Sequence, residues 1–261
     1  MNNALQLFIV LFFGIHISGL NAQKQEYILE ENLSYYNGSI DTYQKERCKM
    51  DIYYPKNLEN FPTVVWLHGG GLKGGNKSIP VQLQEKGIAV IAVNYRLYPK
   101  VKTPVFIEDA AAAVAWTFKN IESYGGDPSK IIVSGSSAGA YLTMMVGLDK
   151  TYLKIHGIDA DKIFALFPLS GQTITHFTVR AEQNTSRSRP VVDKFAPLYH
   201  VRSDIPPIFL YTGDPDLESY GRVEENAYFA KMLKVLGNKN VKHIILGGYG
   251  HGKEQYDAIF P

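Results

Sequence analysis

The segment Gly135-Ser136-Ser137-Ala138-Gly139 follows directly on the apolar run Ile131-Ile132-Val133 and opens a helix-like stretch, Ala138 to Gly147. A G-x-S-x-G pattern set between a strand and a helix demands a turn so sharp that its serine takes a strained backbone conformation. Glycines two positions to either side let neighbouring backbone pass close by. The pattern therefore predicts a strand, a tight turn and a helix, with Ser137 exposed at the turn as a candidate nucleophile.

The rest of the chain is consistent with that unit. Strand-like apolar runs fall at Met50–Tyr54, Thr63–Leu67, Ala89–Val93, Ile131–Ser134, Phe164–Leu169, Ile208–Thr212 and Val241–Leu246. Several are apolar on both faces, as strands of a helix-covered parallel sheet must be. Helix-like segments lie between them, notably Asp109–Asn120, which Asp109 caps or begins, and Val223–Leu236, which ends at Gly237. Gln23 to Arg47 is mixed and polar, with a turn at Tyr36-Asn37-Gly38-Ser39, and supplies candidate edge strands. Alternating strands and helices predict an α/β fold with a mostly parallel central sheet and helices on both faces. The 261 residues, 45% hydrophobic and 20% charged, suit one large domain over residues 23–261. The polar and basic stretch from Gly171 to Val201 interrupts the alternation and reads as a lid-like excursion.

Bulk charge narrows the partners. A net charge of +2 without a Lys/Arg block gives no footprint for nucleic acid. The single cysteine, Cys48, leaves no intramolecular disulfide and no Cys-based metal site, and is expected as a small buried side chain. Residues 1–22 contain no Lys, Arg, Asp or Glu and are largely apolar from Leu5 to Leu20. They read as a signal peptide cut before Gln23, with an uncleaved membrane anchor as the alternative; the first reading predicts a secreted or periplasmic protein with no stable membrane insertion. The sequence leaves the oligomeric state open.

Acyl transfer by a serine needs a base for its proton, an acid to orient that base, and donors for the developing oxyanion. Two histidines follow the later carboxylates. His243 lies inside the strand-like Val241–Ile245, where a structural role is the default; His251 lies beyond it, in the glycine-rich Gly247–Gly252. Such a loop can carry an imidazole over a sheet edge, so His251 is the candidate base. Ile208–Thr212 runs into Gly213-Asp214-Pro215-Asp216-Leu217-Glu218, which offers three acids at the carboxyl end of a strand. Asp214 before Pro suits a turn-closing role, and Glu218 suits a solvated position or a helix end. Asp216 is favoured and Asp214 comes second; position alone does not decide between them. Upstream, Thr63–Leu67 ends in His68-Gly69-Gly70-Gly71, whose backbone N–H groups can turn toward one point. The other donor is the N–H of Ala138, the residue after the nucleophile. No phosphate-binding fingerprint follows these glycines. His68 precedes Ser137 and is read as pinning the loop.

Four motifs together, His68-Gly69-Gly70-Gly71, Val93-Asn94-Tyr95-Arg96-Leu97-Tyr98-Pro99, Gly125-Gly126-Asp127-Pro128 and Val133–Gly139, resemble the HGGG-type α/β-hydrolase serine esterases. These include the hormone-sensitive-lipase-like carboxylesterases and the feruloyl and acetyl xylan esterase-like branch. The resemblance covers about residues 45 to 255 and implies an α/β-hydrolase fold. It implies Ser137 as nucleophile, His251 as base, Asp216 as the acid of a Gly-x-x-Asp turn, and Gly70, Gly71 and Ala138 as oxyanion donors. Asp109 resembles the family's structural aspartate. One position departs: Leu72 stands where many relatives carry an aromatic residue, which leaves the acyl pocket undefined.

The expected function is hydrolysis of carboxylic esters through an acyl-enzyme on Ser137, with no metal or organic cofactor called for. The expected substrate is a small-molecule or polysaccharide-linked ester with a short acyl group such as acetyl. An amidase or peptidase on the same scaffold, decided by residues 171–201, and a non-catalytic binding protein are the alternatives.

Overall fold

Strands apolar on both faces have to lie inside a layered sheet, and this chain builds one sheet from them. The computed structural model describes residues 25–38, 41–252 and 255–259, so the expected signal segment, residues 1–22, lies outside it. The strands are β1 (Tyr27–Ser34), β2 (Lys49–Pro55), β3 (Phe61–Leu67), β4 (Ala89–Val93), β5 (Gly126–Ser136), β6 (Ala165–Leu169), β7 (Ile208–Gly213) and β8 (Val241–Leu246). Among the described residues they form an eight-stranded sheet in the order β1-β2-β4-β3-β5-β6-β7-β8. Strand β2 runs antiparallel to both β1 and β4, and the remaining pairs are parallel. The Tyr-containing segment before residue 47 thus supplies the antiparallel edge strand.

The helices are α1 (Thr42–Arg47), α2 (Val105–Asn120), α3 (Ala138–Leu148), α4 (Lys150–Lys154), α5 (Phe177–Glu182), α6 (Arg222–Val235) and α7 (Gln255–Ile259). On one face of the sheet, Val65, Leu67, Val133 and Leu166 pack against Phe106 and Ala110 of α2 and Tyr141 and Met145 of α3. On the other, Val64, Trp66, Ile132, Phe167 and Phe209 form a second apolar layer that takes in Ile259 of α7. Burial of this kind contributes roughly 1.5–3 kcal/mol for each large side chain taken from water.

Helix α2 starts earlier than the sequence pattern suggests. Pro104 stands at its N-cap, where a missing N–H removes no helical hydrogen bond. Asp109 therefore neither caps nor begins the helix; it sits fully buried inside it. Arg96 donates to Asp109 from Nε at 2.9 Å and from Nη2 at 2.7 Å, and its backbone N–H donates at 3.0 Å. The Tyr36 hydroxyl adds a fourth bond at 2.9 Å. This cluster fastens the segment after β4 to α2. Cys48 is buried beside it, and burial together with the Asp109 charge pushes its thiol up to about 12.

The parallel topology has one consequence for everything below. The carboxyl ends of β3, β5, β7 and β8 lie on the same edge of the sheet, and each leads into a loop that holds a candidate residue. Ligands of open α/β sheets gather at that edge.

Candidate active site

Strand β5 delivers Ser137 through a turn that only a crowded backbone can hold. Ser137 has φ 54° and ψ −113°, a strained conformation for a residue with a Cβ. Its N–H donates to the Leu169 carbonyl at 2.7 Å and its carbonyl accepts from Tyr141 N–H at 3.0 Å, so both flanks are anchored. The two glycines of the motif are required by close approach. A Cβ on Gly139 would lie 1.9 Å from the Leu67 carbonyl oxygen, and one on Gly135 would lie 2.5 Å from it. The first turn of α3 thus presses against the end of β3, and this contact aims Ser137 outward.

The loop after β3 lies next to that turn because β3 and β5 are neighbours. Gly70 and Gly71 both take positive φ, at 116° and 63°, and a Cβ on Gly70 would strike the Gly74 carbonyl oxygen at 2.2 Å. The Gly70 carbonyl is turned away to accept from Lys73 and Gly74 N–H at 3.0 Å each. The N–H groups of Gly70 and Gly71 donate to no other backbone carbonyl among the described residues. Ala138 is the first residue of α3, where an N–H has no partner within the helix. Gly70, Gly71 and Ser137 line one cavity of about 740 Å³.

His68 pins this loop, as expected. Its ring stacks on Tyr95 with centroids 4.3 Å apart, Nδ1 donates to the Gly69 carbonyl at 2.6 Å, and Nε2 faces Arg47 Nη2 at 3.1 Å. Burial and the Arg47 charge, only partly opposed by the Gly69 bond, lower its pKa to about 4. A neutral ring with its proton on Nδ1 fits both contacts.

His251 Nε2 lies 2.9 Å from Ser137 Oγ, across 114 residues of chain. His243 takes the structural position instead, paired with Thr212 Oγ1 at 2.8 Å between β7 and β8.

The carboxylate on His251 corrects the reading of the sequence. It belongs to Glu218, whose Oε1 accepts from His251 Nδ1 at 2.5 Å, and not to Asp216. Asp216 is exposed, and its backbone N–H donates to Asp214 Oδ1 at 3.0 Å. Asp214 closes the turn: its Oδ2 accepts from Gly248 N–H at 2.9 Å, tying the acid loop to the histidine loop. The Glu218 N–H donates back to the Asp214 carbonyl at 2.8 Å, so the chain winds through one full turn after β7. That winding brings Glu218 beneath the histidine and leaves Asp216 on the outside. Glu218 Oε2 also accepts from Ser170 Oγ at 2.5 Å and Gly213 N–H at 3.1 Å, and Oε1 from Ser219 N–H at 2.7 Å. Burial pushes its pKa up, but the bonds from His251, Ser170 and Ser219 outweigh burial and hold the carboxyl well below the usual range. No local pattern in the sequence marks this residue; its one signal is a carboxylate a full turn beyond the end of β7.

The excursion between β6 and β7 adds Phe177 and Arg187 to the wall. Leu72 is fully buried in the core at φ 61° and leaves no side chain for the cavity. Phe177 of α5 supplies the aromatic ring next to the glycine loop, its Cζ 3.1 Å from where a Gly71 Cβ would stand, and Trp66 and Tyr256 also line the cavity. Thr178 Oγ1 donates to the Gly71 carbonyl at 2.5 Å, fastening the excursion to the glycine loop.

Known structures share this arrangement of strands and helices. A truncated carbohydrate esterase from gut microbiota superposes with a TM-score of 0.72 over 93% of this chain and 98% of its own, at 20% identity. The chain has the α/β-hydrolase fold. A hyperthermophilic esterase from the archaeon Pyrobaculum calidifontis matches it with a TM-score of 0.67 at 21% identity, over 98% of this chain and 87% of its own. By sequence, residues 50–166 match the BD-FAE family model. A probable isoprenylcysteine alpha-carbonyl methylesterase of Oryza sativa subsp. japonica is 29% identical over 71% of this chain and 50% of its own length. Esterase LipC of Mycobacterium tuberculosis is 25% identical over 80% of this chain and 58% of its own. The chain spans about half the length of the curated relatives it matches. Among its described residues, no helix is long and apolar enough to cross a membrane, and no cluster of His, Cys, Asp and Glu has the makings of a metal site.

Proposed function

We propose that this protein hydrolyses carboxylic esters through an acyl-enzyme on Ser137. The observation that carries the reading is the relay from Ser137 Oγ to His251 Nε2 at 2.9 Å and from His251 Nδ1 to Glu218 Oε1 at 2.5 Å. Ser137 Oγ attacks the ester carbonyl while His251 Nε2 takes its proton. Glu218 keeps the other ring proton on Nδ1 and offsets the imidazolium charge. The N–H groups of Gly70, Gly71 and Ala138 are the donors for the carbonyl oxygen as it becomes an oxyanion. His251 then returns its proton to the departing alcohol. Water, deprotonated by the same nitrogen, attacks the acyl-enzyme and frees the acid, regenerating Ser137.

A short acyl group, such as acetyl carried on a polysaccharide, is the substrate class we favour. Its support is the name of a structural neighbour, a carbohydrate esterase, together with the apolar leader in residues 1–22, which suits export to where such polymers lie. Hydrolysis of p-nitrophenyl acetate and acetate release from acetylated xylan test the two levels separately. Ser137→Ala should abolish both, by up to roughly 10⁶-fold in kcat. A wild-type protein inert toward acetyl, butyryl and feruloyl esters would overturn the esterase reading.

A further inference from the structure

The wall of the catalytic cavity carries an unbalanced charge. Arg187 and Arg222 line it, and no aspartate or glutamate does among the described residues. Glu218, the nearest acid in the mechanism, is hidden behind His251 with its side chain 1% exposed. Both arginines also line a second cavity of about 400 Å³, where Arg180 joins them. Phe177 forms part of both walls, so the two spaces meet around one ring.

The three guanidiniums are held differently. Arg222 is buried, donates to the Ser170 carbonyl, and pairs through Nε with Glu225 at 2.9 Å. Arg180 is 3% exposed and donates to the Arg189 carbonyl, while its Nε is buried without a hydrogen-bond partner. Arg187 lies exposed over the Phe177 ring, 4.3 Å from its centroid, and no carboxylate of the described residues forms an ion pair with it. The edge of the same ring rests against Gly71, so Arg187 and the glycine loop share one aromatic neighbour.

Opposing charge does not cancel this group. Glu224 and Glu225 line the second cavity, but Glu224 is exposed and Glu225 is engaged with Arg222. Burial also drives Glu225 up to about 7, against the pull of Arg222, which weakens its negative charge near neutrality. Burial lowers the pKa of Arg180, Arg222 and His176, and the nearby Arg187 charge adds to the lowering in each case. A buried guanidinium nitrogen left unpaired is costly unless a ligand supplies its acceptor.

We propose that the second cavity is a subsite for a carboxylate on the substrate, engaged by Arg187 with Arg180 and Arg222 behind it. The preferred ester therefore carries a second, ionised carboxyl group remote from the scissile bond. Fork-shaped guanidiniums match a carboxylate in two-point hydrogen bonding, and a site already lined by three of them favours an anion over its neutral isostere. This inference extends the ester-hydrolase reading by naming the substrate's charge.

The test measures binding, so it does not depend on turnover. In the Ser137→Ala protein, calorimetry compares 4-acetoxybenzoate with 4-acetoxybenzamide, and monobutyl succinate with its terminal amide. The first pair places the carboxylate on the alcohol half and the second places it on the acyl half. At least one carboxylate ester should bind about tenfold tighter than its amide. Adding Arg187→Gln should bring that ratio close to one, Arg187→Lys should keep most of it, and raised salt should shrink it. Ratios near one for both pairs, or a ratio that Arg187→Gln leaves unchanged, would overturn the proposal. Wild-type turnover of the same four esters is scored separately: loss of all turnover strikes the hydrolase reading, while the affinity ratios still decide the anion site.

Discussion

Glu218 Oε1 accepts the His251 Nδ1 proton at 2.5 Å, and the same carboxylate is gripped on its other oxygen by Ser170 Oγ at 2.5 Å. A carboxylate fixed on both oxygens cannot swing away when the imidazole changes charge. Its hydrogen bonds come from the ends of β6 and β7 and from the histidine loop, so three parts of the chain set one angle. Asp216, two residues earlier, shares none of these contacts.

Glu218→Gln should therefore lower kcat for p-nitrophenyl acetate by about 10³ to 10⁴, because an amide cannot hold the Nδ1–H tautomer. Asp216→Asn should stay within about threefold of wild type, as expected of an exposed side chain away from the reacting atoms. Asp214→Asn should fall between them, since it loosens the tether to Gly248. A larger loss at position 216 than at 218 would reverse the assignment of the acid.

Gly139→Ala places a methyl group 1.9 Å from the Leu67 carbonyl oxygen, a backbone atom that cannot step aside. The variant should lose at least about 3 kcal/mol of stability in urea unfolding, or fail to accumulate folded. Gly74→Ala is the control, because its Cβ meets nothing within 4 Å. It should remain within about 0.5 kcal/mol of wild type.

His68 gives the fold a pH dependence with a defined sign. Its folded pKa, about 4, lies below the unfolded value of 6.5. Between those limits the unfolded chain binds a proton that the folded chain refuses, so stability falls as pH drops from 6.5 toward 4. The full contribution is about 3 kcal/mol, and none of it operates above pH 6.5. Urea midpoints at pH 7, 5.5 and 4.5 should show wild type losing ground to His68→Gln as the solution is acidified. A constant difference across the series would contradict a buried neutral ring.

Asp109→Asn should cost about 3 to 5 kcal/mol, because it leaves the Arg96 guanidinium without its buried countercharge. The measurement is chemical unfolding, with kcat/KM of the folded fraction as a companion. The Ser137–His251–Glu218 relay does not touch Asp109, so the loss should appear in stability and not in turnover by folded molecules.

The sequence by itself determined the layered α/β sheet, the Ser137 turn, the glycine loop and the choice of His251 over His243. Those features are written in local chemistry: apolar runs of strand length, glycines where no Cβ fits, and a histidine beyond a strand and not within one. Even the boundary of α2 shows the limit, since Pro104 starts the helix and Asp109 is spent on Arg96. Only the tertiary structure decided which carboxylate meets His251, because Asp214, Asp216 and Glu218 differ in sequence by a few positions and in space by which side of one turn they face. It also decided that Phe177, not the residue after the glycines, sets an aromatic ring against the glycine loop, and that Arg180, Arg187 and Arg222 share a pocket. Such groupings depend on where loops from distant strands meet at the sheet edge, and pairwise distance across that edge leaves no mark on the order of residues along the chain.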